Sequence, residues 1–282
     1  MTVHFQREAG NRLPESGITL YADSYMQTGW LQIGDARYYL DASGAMLENV
    51  KQNIDGVDYR FGTDGNMIVE TPASREQVEQ WFYASYAVIA NVNEWNAEYF
   101  EDAYGMYMSE AQSRLKKAWG VTDPASAHAM VDELINGLHR VSYQETMELC
   151  QQYGYMDLSQ KELAAKLRGD SVLYDMIMAY KTNGPGAIDA WDYCRAMQVL
   201  RECQLAEYYS KPDTLDKMLE VATIMQNRFS SWDEMMESYL RGYEYWMGDA
   251  SAYKERKDLY ESLKAHTSFY QVDWYSKLEK KW

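Results

Sequence analysis

The chain has 282 residues, 46% hydrophobic and 25% charged, a balance that excludes intrinsic disorder. Its net charge of −16 argues against nucleic acid, whose phosphates must be met by clustered Lys and Arg, and against anionic membranes. No apolar run approaches the roughly 20 residues that span a bilayer, so no membrane insertion is expected.

Residues 1–16 read as an N-terminal tail, without the basic start and apolar stretch of a secretory signal. The chain is then either cytoplasmic or exported on a signal outside this sequence. From residue 17 a repeat begins. Met26, Met46 and Met67 are spaced 20 and 21 residues apart, and Leu20, Leu40 and Phe61 each lie six residues before a Met. "LYADSYM", "LDASGAM" and "FGTDGNM" align as strand end, turn and next strand start. Aromatic runs alternating on either side predict β-hairpins that stack on one another, since one hairpin alone is marginal in water.

"YMQTGW", "GWLQIGDARYYLDASGAM" and "GVDYRFGTDGNM" resemble the cell-wall-binding repeats of choline-binding and glucan-binding surface proteins, over residues 17–71. The resemblance implies aromatic cages that hold a quaternary ammonium by cation–π attraction. Each cage draws on the Trp of the GW pair and on an aromatic before the YYL run. Trp30 matches the first; Arg37 and Asp58 stand at the second, and Val50 stands where the next GW Trp is expected. A positive Arg37 repels choline. Three readings stand: choline binding, against which these departures weigh; a glycan or wall contact through Trp30, Tyr38, Tyr39 and Tyr59; or hairpins serving only as a structural cap.

From Pro72 the pattern becomes helical and residues 72–282 read as an all-α domain, giving an α+β fold by segregation. Val78, Trp81, Phe82, Tyr86, Ile89 and Val92 space one long amphipathic helix reaching "EYFEDAYGMYM". Thr122-Asp123-Pro124 opens another helix, and Ser159 with Glu162 forms a capping box. Asn183-Gly184-Pro185-Gly186 is a break, after which a helix runs through Tyr209. Ser210-Lys211-Pro212 starts the next. Ser231 with Glu234 caps one carrying Trp232, Met235, Met236, Tyr239, Tyr243 and Trp246. The final "HTSFYQVDWYSKLEKKW" is of mixed character. In all, seven to ten helices are expected. With 25 Tyr and 9 Trp, aromatics fill either a helical core or a contact surface.

"AWGV" at 118–121, "GLHR" at 137–140, "AWDYCRAMQVLRECQLAEYYS" at 190–210 and "SSWDEMMESYLRGYEYW" at 230–246 resemble the bacterial family known as domain of unknown function 1266, over residues 115–248. That resemblance implies a fold and no mechanism.

The candidates for chemistry are few. Asp192 and Arg195, three apart on one helix, share a face and could pair. His139 and Arg140 follow Gly137 at a helix end, where cations suit the helix dipole. His128 and Asp132 could face one metal, but there is no HExxH and no metal is expected. No P-loop, GxGxxG or GxSxG is present and no cofactor is implied. Cys150, Cys194 and Cys203 have no CxxC spacing and read as buried apolar residues. The leading expectation is a non-enzymatic cell-surface or wall-associated binding protein, with a cell-wall glycan or another protein as partner. The alternatives are an enzyme or secreted effector built on Asp192, Arg195 and His139, and an intracellular interaction module.

Overall fold

The computed structural model describes the backbone of residues 4–6, 19–22 and 25–26, and residues 28–33, 36–68, 72–93 and 108–282 in full except the Val57 side chain. The chain divides into two compact units, Met1–Thr71 and Pro72–Trp282. Most of the N-terminal tail and the stretch 94–107 of the first expected helix lie outside the described residues.

The first unit is a series of antiparallel strands. β1 (His4–Gln6) pairs with β2 (Thr19–Ala22), which pairs with β3 (Tyr25–Met26). β4 (Gly29–Ile33) pairs with β5 (Ala36–Leu40), placing Trp30 opposite Tyr39 and Leu31 opposite Tyr38. β6 (Val50–Ile54) pairs with β7 (Val57–Phe61), and β7 with β8 (Met67–Ile68).

The repeat read from the methionines is a repeat of backbone geometry. Asp41 N–H bonds to Ala45 O at 2.8 Å, and Gly62 N–H, 21 residues on, bonds to Asn66 O at 3.0 Å. Gly44 and Gly65 both take left-handed conformations, φ 80 and 73. Leu40 bridges Met46 as Phe61 pairs with Met67. At this offset Lys51, rather than Val50, takes the place of Trp30, and Val50 takes that of Gly29.

Side chains alternate across a strand, so each hairpin has two faces. Trp30, Gln32, Arg37 and Tyr39 share one; Leu31, Tyr38 and Leu40 share the other and pack with Met46. The first hairpin turns its Trp30 face to Tyr59 and Phe61 of the second, with ring centroids 4.7 and 6.0 Å from Trp30. Met46 reaches across to Gly65, where a Cβ would lie 2.5 Å from the methionine methyl. The outgoing face of the second hairpin carries Lys51, Asn53, Asp58 and Arg60, a polar surface such as ends many stacked arrays.

The second unit is helical among its described residues. α1 (Arg75–Val92) starts at a Ser74–Gln77 capping box and is buried all round from Trp81 to Ala90. It ends at Asn93, so the single long helix expected is cut there, and Val92 is exposed rather than on the apolar face. Next come α2 (Met108–Trp119), α3 (Pro124–Asn136), α4 (Arg140–Gln152), α5 (Gln160–Leu167) and α6 (Ser171–Asn183). Asp123 caps α3 and Ser159 caps α5, both through reciprocal boxes.

After the Gly184–Gly186 turn come α7 (Asp189–Leu205), α8 (Lys211–Arg228), α9 (Trp232–Met247) and α10 (Ala250–His266). α7 ends four residues short of Tyr209, because Glu207 adopts φ 60 and reverses the chain. At α9, Ser231 accepts from Glu234 N–H, but the Glu234 carboxylate turns to Ser230 N–H at 2.7 Å, so the cap is not reciprocal.

α7 is the hub of this unit, packed by α1, α2, α3, α8 and α9 and buried along most of its length. The mixed C-terminal stretch forms only a short turn and one bridge, Pro72 to Lys277. It is held by indoles: Trp81 donates to Trp274 O (3.2 Å), Trp232 to Val272 O (2.9 Å) and Trp274 to Phe229 O (3.0 Å). Much of the aromatic content is therefore core, including fully buried Tyr86, Tyr143 and Tyr239. All three cysteines are buried and unpaired.

Candidate functional site

Asp192 lies in the first turn of α7 and is completely buried. A carboxylate there needs donors, because an unpaired buried charge is costly. The start of α4 supplies them. Asp192 Oδ2 accepts from His139 N–H at 3.0 Å and Arg140 N–H at 3.1 Å, and Oδ1 lies 2.7 Å from His139 Nδ1. His139 is the N-cap of α4 and has no side-chain cap of its own. Asp192 therefore caps that helix from a distance, a negative charge on the positive end of its dipole. His139 and Arg140 begin α4; they do not sit at the C-terminal helix end expected from the sequence. The preceding helix ends at Gly137, whose φ of 106 makes the sharp turn between α3 and α4.

Asp192 and Arg195 do not pair directly. The charge partners of Asp192 are His139 and Arg140, the latter through Nε at 3.6 Å. Arg195 turns away and lies over tryptophan faces, 4.3 Å from the Trp119 centroid, 4.7 Å from Trp191 and 5.9 Å from Trp246. Burial lowers this guanidinium to about 10, with the charge of Asp192 acting the other way.

The three candidates still meet, through the His139 ring. Arg195 Nη1 is 3.0 Å from His139 Nε2 and 3.2 Å from Nδ1. A guanidinium only donates, and the Nδ1 proton faces the carboxylate, so Nε2 is the acceptor that Arg195 meets. An imidazole held this way has both nitrogens engaged. It is poorly placed to take a proton from a substrate.

The other groups considered have separate partners. The His128 ring lies 4.1 Å from that of Tyr209, while Asp132 pairs with Lys217 at 3.1 Å. Burial pushes all three thiols up, Cys203 to about 12, so none is an activated thiolate. Among the described residues no group of three or more His, Cys, Asp or Glu could hold a metal ion, and no helix is long and apolar enough to cross a membrane.

In the hairpin unit Trp30, Tyr39 and Tyr59 come together, with Trp30–Tyr39 centroids 5.2 Å apart. Tyr38 is on the opposite face with Leu31, Leu40 and Met46. Arg37 lies over the Trp30 ring, 4.5 Å from its centroid, so the chain's own cation occupies that aromatic face. Two further features had no sequence signal. Glu202, buried beside Arg114, is raised to about 7 by burial. A cleft of about 430 Å³ lies next to Arg140.

A stacked-hairpin unit and a helical domain in one chain define a repeat-bearing protein of modular type. Residues 114–274 match the family described as protein of unknown function (DUF1266), and the chain belongs to that family. Residues 28–46 match the putative cell wall binding repeat. Among solved structures, the choline binding domain of Spr1274 in Streptococcus pneumoniae is 30% identical; the match covers 25% of this chain and 100% of that one, with a TM-score of 0.21. No curated protein matches the chain.

Proposed function

We propose that the chain is a cell-surface or wall-associated binding protein that carries out no turnover at the Asp192 site. The match to a cell wall binding repeat supports a wall partner, and such repeats are typical of cell-surface proteins. The observation that carries the non-enzymatic part is the closure of Asp192: its carboxylate is fully buried and satisfied by the α4 start and the His139 ring. The hairpin aromatics Trp30, Tyr39 and Tyr59 supply an amphipathic contact surface suited to a sugar face. Arg37 over Trp30 disfavours a quaternary ammonium on that ring.

Co-sedimentation of the full chain with purified bacterial cell walls tests this reading. The wild type is expected to pellet with walls, Trp30→Ala to stay in solution, and Asp192→Asn to pellet undiminished. Free choline is not expected to release the protein. Absence of pelleting, or release of wall fragments that Asp192→Asn abolishes, would overturn it. A second reading rests on the stacking of Trp30 between hairpins: the repeats serve as a structural cap, and Trp30→Ala then lowers hairpin stability without changing any wall binding.

A further inference from the structure

The cleft beside Arg140 is lined by Asn136, Arg140, Gln144, Gly186, Asp189 and Arg228, among others, and its volume of about 430 Å³ suits a small molecule. Of these residues only Arg140 was singled out in the sequence for its chemistry, as a cation at a helix end, and the cleft is independent of the wall-contact reading.

Asp189 sits between the two arginines. Its Oδ2 accepts from Arg228 Nε at 2.8 Å, and its Oδ1 lies 3.6 Å from Arg140 Nη1. Arg140 is otherwise committed, Nη1 donating to Tyr193 Oη at 2.6 Å and Nη2 to Ile135 O at 2.5 Å. Arg228 differs. Among the described residues its hydrogen bonding to protein goes through Nε, which leaves its two terminal nitrogens available.

Those nitrogens lie along Gly186, where any Cβ would overlap Nη2. The glycine thus makes room for the guanidinium to lie against the backbone of the cleft wall. Two cations and one anion give the lining one net positive charge within a strongly acidic chain. α7 also begins here; its N-cap Ile188 supplies no side-chain cap, while Ser238 Oγ accepts from Ala190 N–H at 3.1 Å.

We propose that this cleft binds an oxyanion, the carboxylate or phosphate group of a small ligand, on the free fork of Arg228 with Asn136 and Gln144 beside it. A planar guanidinium held by one edge presents the other for two parallel hydrogen bonds, the geometry that either oxyanion accepts.

The test is a titration of the full chain, labelled with ¹⁵N, with sodium phosphate, sodium acetate and sodium chloride at matched ionic strength. The signals followed are the Arg228 side-chain N–H and the Gly186 amide. Saturable shifts are expected with phosphate or acetate and not with chloride, and whichever oxyanion saturates at lower concentration identifies the source chemistry. Arg228→Lys keeps the charge facing Asp189 but loses the fork, and should weaken binding by about tenfold. Arg228→Gln should abolish it where circular dichroism shows an intact fold. Shifts that never saturate, chloride acting as well as the oxyanions, or undiminished affinity in Arg228→Lys would overturn the proposal.

Discussion

Asp192 stabilises the helical unit by joining two helices that are 53 positions apart in sequence at the point of contact. Replacing it with Asn keeps the shape but sets an amide N–H against donors, and should cost about 3 kcal/mol, as expected when a buried charged partner is removed. Urea unfolding followed by far-ultraviolet circular dichroism would measure this. Glu202 supplies a pH dependence. Its folded-state value of about 7 stands above the roughly 4.3 of an unfolded glutamate, so the native state holds its proton through that interval. Native protein binds more protons there, and the contribution, on the order of 3 kcal/mol, is full below the lower value and lost as pH rises to the upper one. Glu244, completely buried and also raised by burial, acts in the same direction. Unfolding free energy should therefore fall from pH 5 to pH 7.5, and the Glu202→Gln, Glu244→Gln double variant should flatten the slope. An unchanged slope would show that other groups set it.

At the scale of elements, several helix starts were legible where a short polar side chain preceded an apolar run, while the caps at Ser74, Asp170 and Asp249 went unread. Asp123, Ser159 and Ser210 each accept from the backbone N–H three residues on. Ser159→Ala should cost about 1 kcal/mol, measurable in the same urea assay. Helix ends were less legible. α1 stops at Asn93 and α7 at Leu205 without a glycine, and the reversal at Glu207 uses a left-handed conformation that a glutamate seldom takes. In the hairpins the spacing of Met46 and Met67 already carried the offset of 21, and the strand register shows what it means: Lys51, not Val50, takes the place of Trp30. Gly65 joins the two hairpins, its φ of 73 and the approach of Met46 both excluding a side chain. Gly65→Ala should destabilise the stack by more than about 1 kcal/mol, the cost of the left-handed conformation alone. Adding Met46→Ala should recover the part due to crowding, and a double-mutant cycle on Trp30 fluorescence would show it.

At the scale of the molecule, the two units have separate cores. The hairpins bury Leu40, Met46, Ile54 and Phe61, while a far larger apolar cluster fills the helical unit. Calorimetry should therefore resolve two transitions, with the Trp30 signal lost in the smaller; a single cooperative peak would contradict this. The segregated fold was legible because hydrophobic periodicity changes from two to near four at residue 72. Of the cluster of His139, Asp192 and Arg195, only the proximity of its members was legible. Spacing on one helix suggested an Asp192–Arg195 pair, yet each side chain is claimed by a different neighbour, Asp192 by the start of α4 and Arg195 by tryptophans of α2, α7 and α9. Long-range partners of that kind leave no mark on local spacing. The polar outer face of the second hairpin gives the repeat array a direction of growth. A duplicate of residues 29–49 inserted at residue 50 would find Trp30 on one side and Tyr59 on the other, and could lengthen the stack. The same duplicate placed after Ile68 would meet Lys51 and Arg60, which offer its aromatics no ring to stack on. This lineage of hairpins can therefore expand from within but is closed at its far end.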